Sequence, residues 1–480
     1  MAVTGADEVG LAELLAVAIR ARLGVVRIDG LRRLTGGASR ETWSFDAVRT
    51  DGTRVELVLR RDPPSRPGPP GAMALEARAM RCAGEAGVPV PEVLLDTDDT
   101  SAWGAAGMVM GRVQGEALGR RILRDEELAA ARSLLVAQCA GALADLHRVD
   151  PEALGAAPEH DPLAAIRWVL DELGEPVPIF EFALRWLESH RPESSGRGIV
   201  HGDFRLGNLM VDHDGLVSVL DWELVHLGDP VEDLGWFCVR AWRFGAGPPV
   251  AGLGERRELL DAYARAGGAL VDEDVLRWWE AYGTLRWGAI CLTQAAVHLR
   301  RELRSVELAA IGRRVCETEW DLLLLLQPDA ALAALDRRDR DRSEPAPDAV
   351  VGSAQTAPDL PAGRSPLHGR PTSIELIEAV REFLTDRVVA AELGPTSYHA
   401  RVAANALAIV ERELAAGPAP HERRARALAR LGVQDEAELC HQLRSGAADL
   451  NTVDVVDVLC DGVVERVSIA NPRYLRRSDR

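Results

Sequence analysis

The sequence predicts an α+β protein in two lobes, an antiparallel sheet followed by a helical lobe, with a separate all-α C-terminal domain beyond them. Three observations predict it. Residues 41–60 alternate apolar and polar side chains on either side of Asp51-Gly52, as a half-buried hairpin does. Past residue 126 nearly every long segment carries apolar residues at helical spacing, and the short exception is a hairpin pattern around Asp214-Gly215. Residues 343–371 are rich in Ser, Pro, Ala, Gly and Asp, without periodicity, and read as a linker. The expected boundaries are 1–110 for the sheet lobe, 111–336 for the helical lobe, 337–371 for the flexible linker and 372–480 for the accessory domain.

A chain of 480 residues suffices for two or three domains, and 47% hydrophobic with 27% charged residues is an ordinary globular composition. A formal net charge of −18 argues against a nucleic-acid partner, which needs a basic face, and against an anionic membrane surface. The run of five leucines, Leu322 to Leu326, is far too short to span a bilayer. Asp7 and Glu8 with no early basic residue do not read as a secretory signal. Seven cysteines without a Cys-x-x-Cys pair read as thiols of a reducing, cytoplasmic setting. The chain contains no lysine: every basic residue other than histidine is arginine.

In order along the chain, residues 8–22 have helical apolar spacing and should cap the first lobe. Leu34-Thr35-Gly36-Gly37-Ala38-Ser39-Arg40 leads into the first strand of the hairpin, and Val55 to Arg60 is the second. Side chains alternate along a strand, so Val58 and Arg60 share one face, turned to the cleft, and Arg61 points the other way. Residues 62–71 form a stiff, proline-rich loop, followed by a helix from Ala72 to Glu85 that carries Glu76. Val88 to Leu95 is a loop entering a strand, and Ala106 to Val113 is another strand. Helices are expected over 126–148, 162–173 and 180–189, with His147 as a helix-end structural residue. Gly228-Asp229-Pro230 opens a further helix, with Asp229 at its N-cap. Residues 254–330 give two or three long helices whose Trp278, Trp279, Trp287 and Trp320 read first as core. The accessory domain should hold helices over 373–391, 396–415, 421–431, 435–443 and 453–467.

The chemistry concentrates in residues 199–236. Ile199-Val200 runs into His201-Gly202-Asp203, and Asn208 follows Asp203 by five residues. Leu209-Met210-Val211 and Leu216 to Leu220 are two short strands around the Asp214-Gly215 turn, so the chain returns and sets Asp221 beside Asn208. Three groups then converge: one carboxylate for a hydroxyl proton, and an amide with a second carboxylate for a hard cation such as Mg²⁺. This His-x-Asp-x4-Asn…Asp pattern is that of the protein-kinase catalytic and metal-binding loops. With glycine at its second position and Asp221-Trp222-Glu223 closing it, it resembles the aminoglycoside phosphotransferase and choline kinase-like family of small-molecule kinases. The strand end Val58-Leu59-Arg60-Arg61, and the run from Asp221 to Pro230, are similar above all to kinase domains associated with acyl-CoA dehydrogenases.

The resemblance implies a bilobal protein-kinase-like fold and ATP-dependent phosphoryl transfer to a hydroxyl of a small molecule. It assigns Asp203 as the catalytic acid–base group and Arg205 to the transferring phosphoryl group or an anionic substrate. Asn208 and Asp221 would hold Mg²⁺. Gly36, Gly37 and Ser39 would cover the nucleotide phosphates, Val58 would lie against adenine, and Val109, Met110 and Gly111 would hold the adenine edge through backbone groups. Arg60 stands where the family places its phosphate lysine, with Glu76 as its partner and Glu85 as the fallback. Asp233 would anchor the catalytic-loop backbone. A hydroxyacyl thioester or similar metabolite is the implied acceptor, ahead of an aminoglycoside. The competing reading is a nucleotide-binding pseudokinase that acts as a scaffold. Residues 372–480 resemble an uncharacterised helical domain found with bacterial members of the family, and suit a protein partner, a regulatory role or a homo-oligomer contact.

Overall fold

A computed structural model of the chain describes residues 5–34, 40–64, 66–100, 102–159, 161–343, 369–383 and 396–475. The chain divides into two compact units, Met1–His160 with Glu193–Glu280, and Asp161–Pro192 with Ala281–Arg480.

The first unit opens with the helix Gly5–Leu23 and a five-stranded antiparallel sheet: β1 (Val25–Leu34), β2 (Glu41–Arg49), β3 (Arg54–Arg61), β4 (Val93–Thr97) and β5 (Gly107–Gly111). The strand order is β1-β2-β3-β5-β4. Trp43, Phe45, Leu57, Leu59 and Val109 share one sheet face and form a core with Leu11, Leu15 and Ile19 of the first helix. The period of two puts Ser44, Val58, Arg60, Met108 and Met110 on the opposite face, and the register pairs Val58 with Met110 and Arg60 with Met108. The helix Ala72–Glu85 has the expected bounds and buries Met73, Glu76, Ala77 and Met80.

After the sheet come the helix Ala129–His147 and two small ribbons, β6 (Gly198–Val200) with β9 (His226–Gly228), and β7 (Leu209–Asp212) with β8 (Gly215–Val219). Leu209 pairs with Val219 and Asp212 with Gly215, so the expected hairpin forms, with a register shift between Met210 and Val211. The helix at Ala129–His147 is, among the described residues, the one long and apolar enough to cross a membrane by length and composition. Here its Leu135, Leu143 and Leu146 are buried core residues. The helices Val231–Cys238 and Arg256–Arg265 complete this unit's framework, and Glu273–Leu299 begins in it.

The second unit is helical. The C-terminal region is all-α as expected, and it shares one compact unit with segments assigned from sequence to the helical lobe. Helices Ser373–Phe383, Thr396–Ala416, Ala419–Arg430, Glu436–Ser445 and Val453–Ala470 pack with segments assigned from sequence to the helical lobe. Val306 and Ala309 share a core with Leu376, Val380, Ala406 and Ile469. Arg466 grips Glu319 through two hydrogen bonds of 2.9 and 2.8 Å, both residues being buried. Arg313 pairs with Glu413 at 2.9 Å, and Tyr474 donates to Asp321 at 2.7 Å. Partners this distant in sequence leave no local pattern, so these contacts are not visible in the sequence. The expected linker also begins too early: the helix Pro328–Ser343 covers residues 337–343. The rest of that stretch to residue 368, and the 384–391 end of the first accessory helix, lie outside the described residues.

Candidate active site

The His201–Asn208 loop follows β6, and buried polar groups fix its backbone. Gly202 has φ +79, and a Cβ there would run into the Leu224 carbonyl, so the position requires glycine. Asp233, fully buried, accepts the N–H groups of His201 (2.7 Å) and Gly202 (2.9 Å). His147 Nε2 lies 3.2 Å from Asp233, and its Nδ1 lies 2.8 Å from the Tyr263 hydroxyl. Burial pushes the Asp233 carboxyl up, but the hydrogen bond and charge of His147, with His201, outweigh it and hold the group below the usual range. Burial pushes His201 below its ordinary pKa. Its Nδ1 accepts the Asp203 N–H at 3.1 Å, so Nε2 carries the proton and donates to the Leu220 carbonyl at 3.1 Å. His201 is therefore a brace between the catalytic loop and the end of the β7–β8 hairpin.

Asp203 sits among donors. Its Oδ1 accepts from Arg205 Nε and from Trp236 Nε1, each at 3.0 Å, and its Oδ2 accepts from Asn208 Nδ2 at 2.6 Å. The Arg205 guanidinium also lies 4.7 Å from the centre of the Trp242 ring. Asn208 spends the same amide nitrogen on the Asp203 carbonyl at 3.0 Å, and its backbone carbonyl accepts the Leu220 N–H at 2.8 Å. That bond brings the hairpin's end back to the loop. Asp221 follows with φ +65, a left-handed conformation uncommon for a non-glycine residue. Its Oδ1 takes Arg60 Nη2. Burial raises the Asp221 carboxyl, the Arg60 charge and hydrogen bond outweigh that, and the net direction is down.

This donor set fits a divalent metal ion. Only an amide nitrogen can face a carboxylate, so Asn208 Oδ1 is turned away from Asp203. Asn208 Oδ1 and Asp221 Oδ2 take no hydrogen bond among the described residues. Two hard oxygens, one of them charged, suit Mg²⁺.

Across the cleft, Glu76 is 1% exposed and lies between two guanidiniums. Arg60 Nη1 approaches its Oε1 to 3.1 Å and Arg40 Nη1 its Oε2 to 2.6 Å. Arg60 Nη2 also lies 3.5 Å from Glu223, and Arg40 Nε 3.5 Å from Asp62. Burial disfavours the Arg60 charge, but Glu76, Asp221 and Glu223 more than restore it, so its pKa is raised. Arg61 points the other way, to Glu41 at 2.9 Å. Glu85 is exposed and is not the partner.

Asp203, Arg205, Asn208, Asp221, Arg60 and Glu76 thus come together, and Val58 and Met110 line the same sheet face as Arg60. Gly111 ends β5, where its N–H donates to the Glu92 carbonyl at 3.0 Å. The Val109 side chain is in the core, and its strand is flanked on both sides, with Leu59 and Leu95 opposite it. Gly36, Gly37 and Ser39 lie outside the described residues. Sequence reasoning missed Arg40, Glu223 and Trp236. Glu223 was visible as the end of the Asp-Trp-Glu run, and Arg40 as the cation closing the glycine-rich stretch; Trp236 carried no signal.

Comparison with known proteins agrees with this geometry. The model of the phosphotransferase enzyme family matches residues 30–279, and that of a domain of unknown function (DUF6285) matches residues 391–474. Mouse acyl-CoA dehydrogenase family member 10 is 30% identical over 213 residues, covering 41% of this chain and 20% of that protein. Human acyl-CoA dehydrogenase family member 11 is 28% identical over 235 residues, covering 44% of this chain and 30% of that protein. The chain therefore matches less than a third of these relatives' length. A crystal structure from Ralstonia eutropha JMP134, described as a candidate aminoglycoside phosphotransferase, aligns with TM-score 0.51 at 22% identity, over 65% of this chain and 97% of that one. That likeness shows a shared kinase-like fold. With the loop, the hairpin and the paired carboxylates all inside the matched span, the chain belongs to the phosphotransferase enzyme family, as a small-molecule kinase.

Proposed function

We propose that the protein transfers the γ-phosphoryl group of ATP to a hydroxyl of a small metabolite, of hydroxyacyl type in preference to an aminoglycoside. The observation that carries the reading is the convergence of Asp203, Asn208 and Asp221, with Asn208 Oδ1 and Asp221 Oδ2 left open. Asp203 orients the acceptor hydroxyl and takes its proton as the new P–O bond forms and ADP leaves with the electrons of the broken bond. The transition state is loose, so the base acts late and positioning dominates. Asn208 and Asp221 would hold Mg²⁺, which when bound supplies neutralising charge at the phosphates. Arg60, steadied by Glu76, supports the phosphates as a planar fork in place of a lysine. Arg205 stands two residues past Asp203 and pairs with it at 3.0 Å, where it would support the transferring phosphoryl group or an anionic substrate.

The scaffold reading gains no observation, because the acid and both oxygen ligands are retained. All seven cysteines are free thiols, which supports a reducing, cytoplasmic location. The C-terminal helices are proposed to serve regulation, a protein partner or self-association. The test of the main reading is Asp203→Ala, assayed for ADP release with Mg–ATP against hydroxyacyl-CoA thioesters and aminoglycosides. A loss on the order of 10²–10³ in rate is expected for one positioned charge of this kind. Transfer at the wild-type rate would remove Asp203 from the role.

A further inference from the structure

We propose that Trp236 is a positioning residue for phosphoryl transfer: its indole N–H fixes the Asp203 carboxylate so that Oδ2, not Oδ1, receives the acceptor hydroxyl. The inference rests on the function proposed above and adds a residue and an orientation to it. An ionised carboxylate offers about four acceptor positions, two on each oxygen. Oδ1 has both filled, by Trp236 Nε1 and Arg205 Nε at 3.0 Å each. Oδ2 has one filled, by Asn208 Nδ2 at 2.6 Å. The position left for an incoming hydroxyl is therefore on Oδ2, the oxygen on the Asn208 side.

The indole is built to hold this setting. Trp236 is 2% exposed, and a buried indole N–H usually finds an acceptor. Its acceptor here is the reactive carboxylate, not a backbone carbonyl. Asp233 and Trp236 stand three residues apart on the helix Val231–Cys238, hence on one face. One helix face thus holds both the backbone of the catalytic loop, through Asp233, and the carboxylate that the loop presents, through Trp236. That helix is seated tightly: a Cβ on Gly235 would come within 2.5 Å of the Trp279 backbone. The Trp242 ring, 5.3 Å from that of Trp236, supports Arg205 on the same oxygen. A neutral donor orients the carboxylate without adding charge beside the acceptor.

The test is Trp236→Phe, which keeps the ring and deletes the donor, measured alone and with Asp203→Asn. Turnover is followed with Mg–ATP and 3-hydroxybutyryl-CoA. The expected loss in kcat is about tenfold or more, the factor that one hydrogen bond to a charged group carries. The KM for ATP should stay within about twofold, because no nucleotide contact is removed. In the Asp203→Asn background the same change should cost under about twofold, since residues acting as a unit are not additive. An equal loss in both backgrounds, or none in the wild type, overturns the proposal. The second arm needs no turnover: the ¹⁵N-indole resonance of Trp236 should move on Asp203→Asn, and an unmoved resonance overturns the contact. A wild-type enzyme inert on the hydroxyacyl and aminoglycoside panel counts against the proposed function instead, and the indole resonance then decides the role of Trp236.

Discussion

Replacing Glu76 by Gln should destabilise the sheet lobe although it changes neither size nor shape. Glu76 is 1% exposed and touches Arg40 at 2.6 Å and Arg60 at 3.1 Å. Burial pushes its carboxyl above the usual range, and the two guanidiniums oppose that shift. The amide would offer one oxygen to two cations and turn its NH₂ donors against the other. Removing one partner of a buried pair costs about 3–5 kcal/mol. Arg60 keeps Asp221 and Glu223, and Arg40 keeps Asp62, so the lower end applies, about 3 kcal/mol. For a cooperative unit of this size that is a fall in Tm of roughly 6–12 °C. Tryptophan fluorescence in urea or on heating reads it, since Trp43 lies in the same lobe. Glu85→Gln, on an exposed position of the same helix, should stay within about 0.5 kcal/mol of wild type. A Glu76→Gln protein as stable as the Glu85→Gln control would show that the central carboxyl does not bridge the two guanidiniums, and the account of Arg60 would fail with it.

The remaining predictions concern the catalytic loop. Gly202→Ala forces a side chain into a left-handed backbone against the Leu224 carbonyl, which should cost about 2 kcal/mol or more and take phosphoryl transfer with it; unchanged melting and turnover would contradict the reading of that glycine. His201 has a folded-state pKa depressed by burial from the ordinary value of 6.5. The unfolded chain therefore binds the extra proton, so this share of stability is present above pH 6.5 and is lost as pH falls through the folded pKa. Urea titrations at descending pH should show that slope, up to about 1.4 kcal/mol per pH unit, and His201→Gln should lack it; parallel slopes in the two proteins would count against the buried neutral imidazole.

What was legible in the sequence was local. Asp203 and Asn208 are five residues apart, and the Asp214-Gly215 turn returns the chain, so their meeting with Asp221 follows from spacing alone. Strand alternation put Arg60 and Arg61 on opposite faces before any contact was visible. For Val109, periodicity gives a strand's two faces but not its neighbours. Only the order β3-β5-β4 shows that β5 is flanked on both sides. Arg40 was hidden for the same reason: its approach to Glu76 depends on β2 lying beside β3, with helix Ala72–Glu85 within reach. The accessory helices were recognised as helices, but Arg466 and Glu319 are 147 residues apart, and charge pairs at that distance set no pattern.

The absence of lysine changes the physics of the nucleotide side. An ammonium is a compact point charge, whereas a guanidinium is a planar fork whose two ends reach different partners. Arg60 uses that property: Nη1 faces Glu76 on its helix and Nη2 faces Asp221 on the hairpin's end, so one side chain spans both lobes of the cleft. Its hold on Asp221 takes only Oδ1, and Oδ2 stays available as a metal ligand. The second guanidinium, Arg40, takes the other oxygen of Glu76, which leaves the carboxylate bridging two cations. The Arg60 fork is thus held at both ends, and on the function proposed above a nucleotide phosphate would meet an oriented donor that has already lost much of its rotamer freedom.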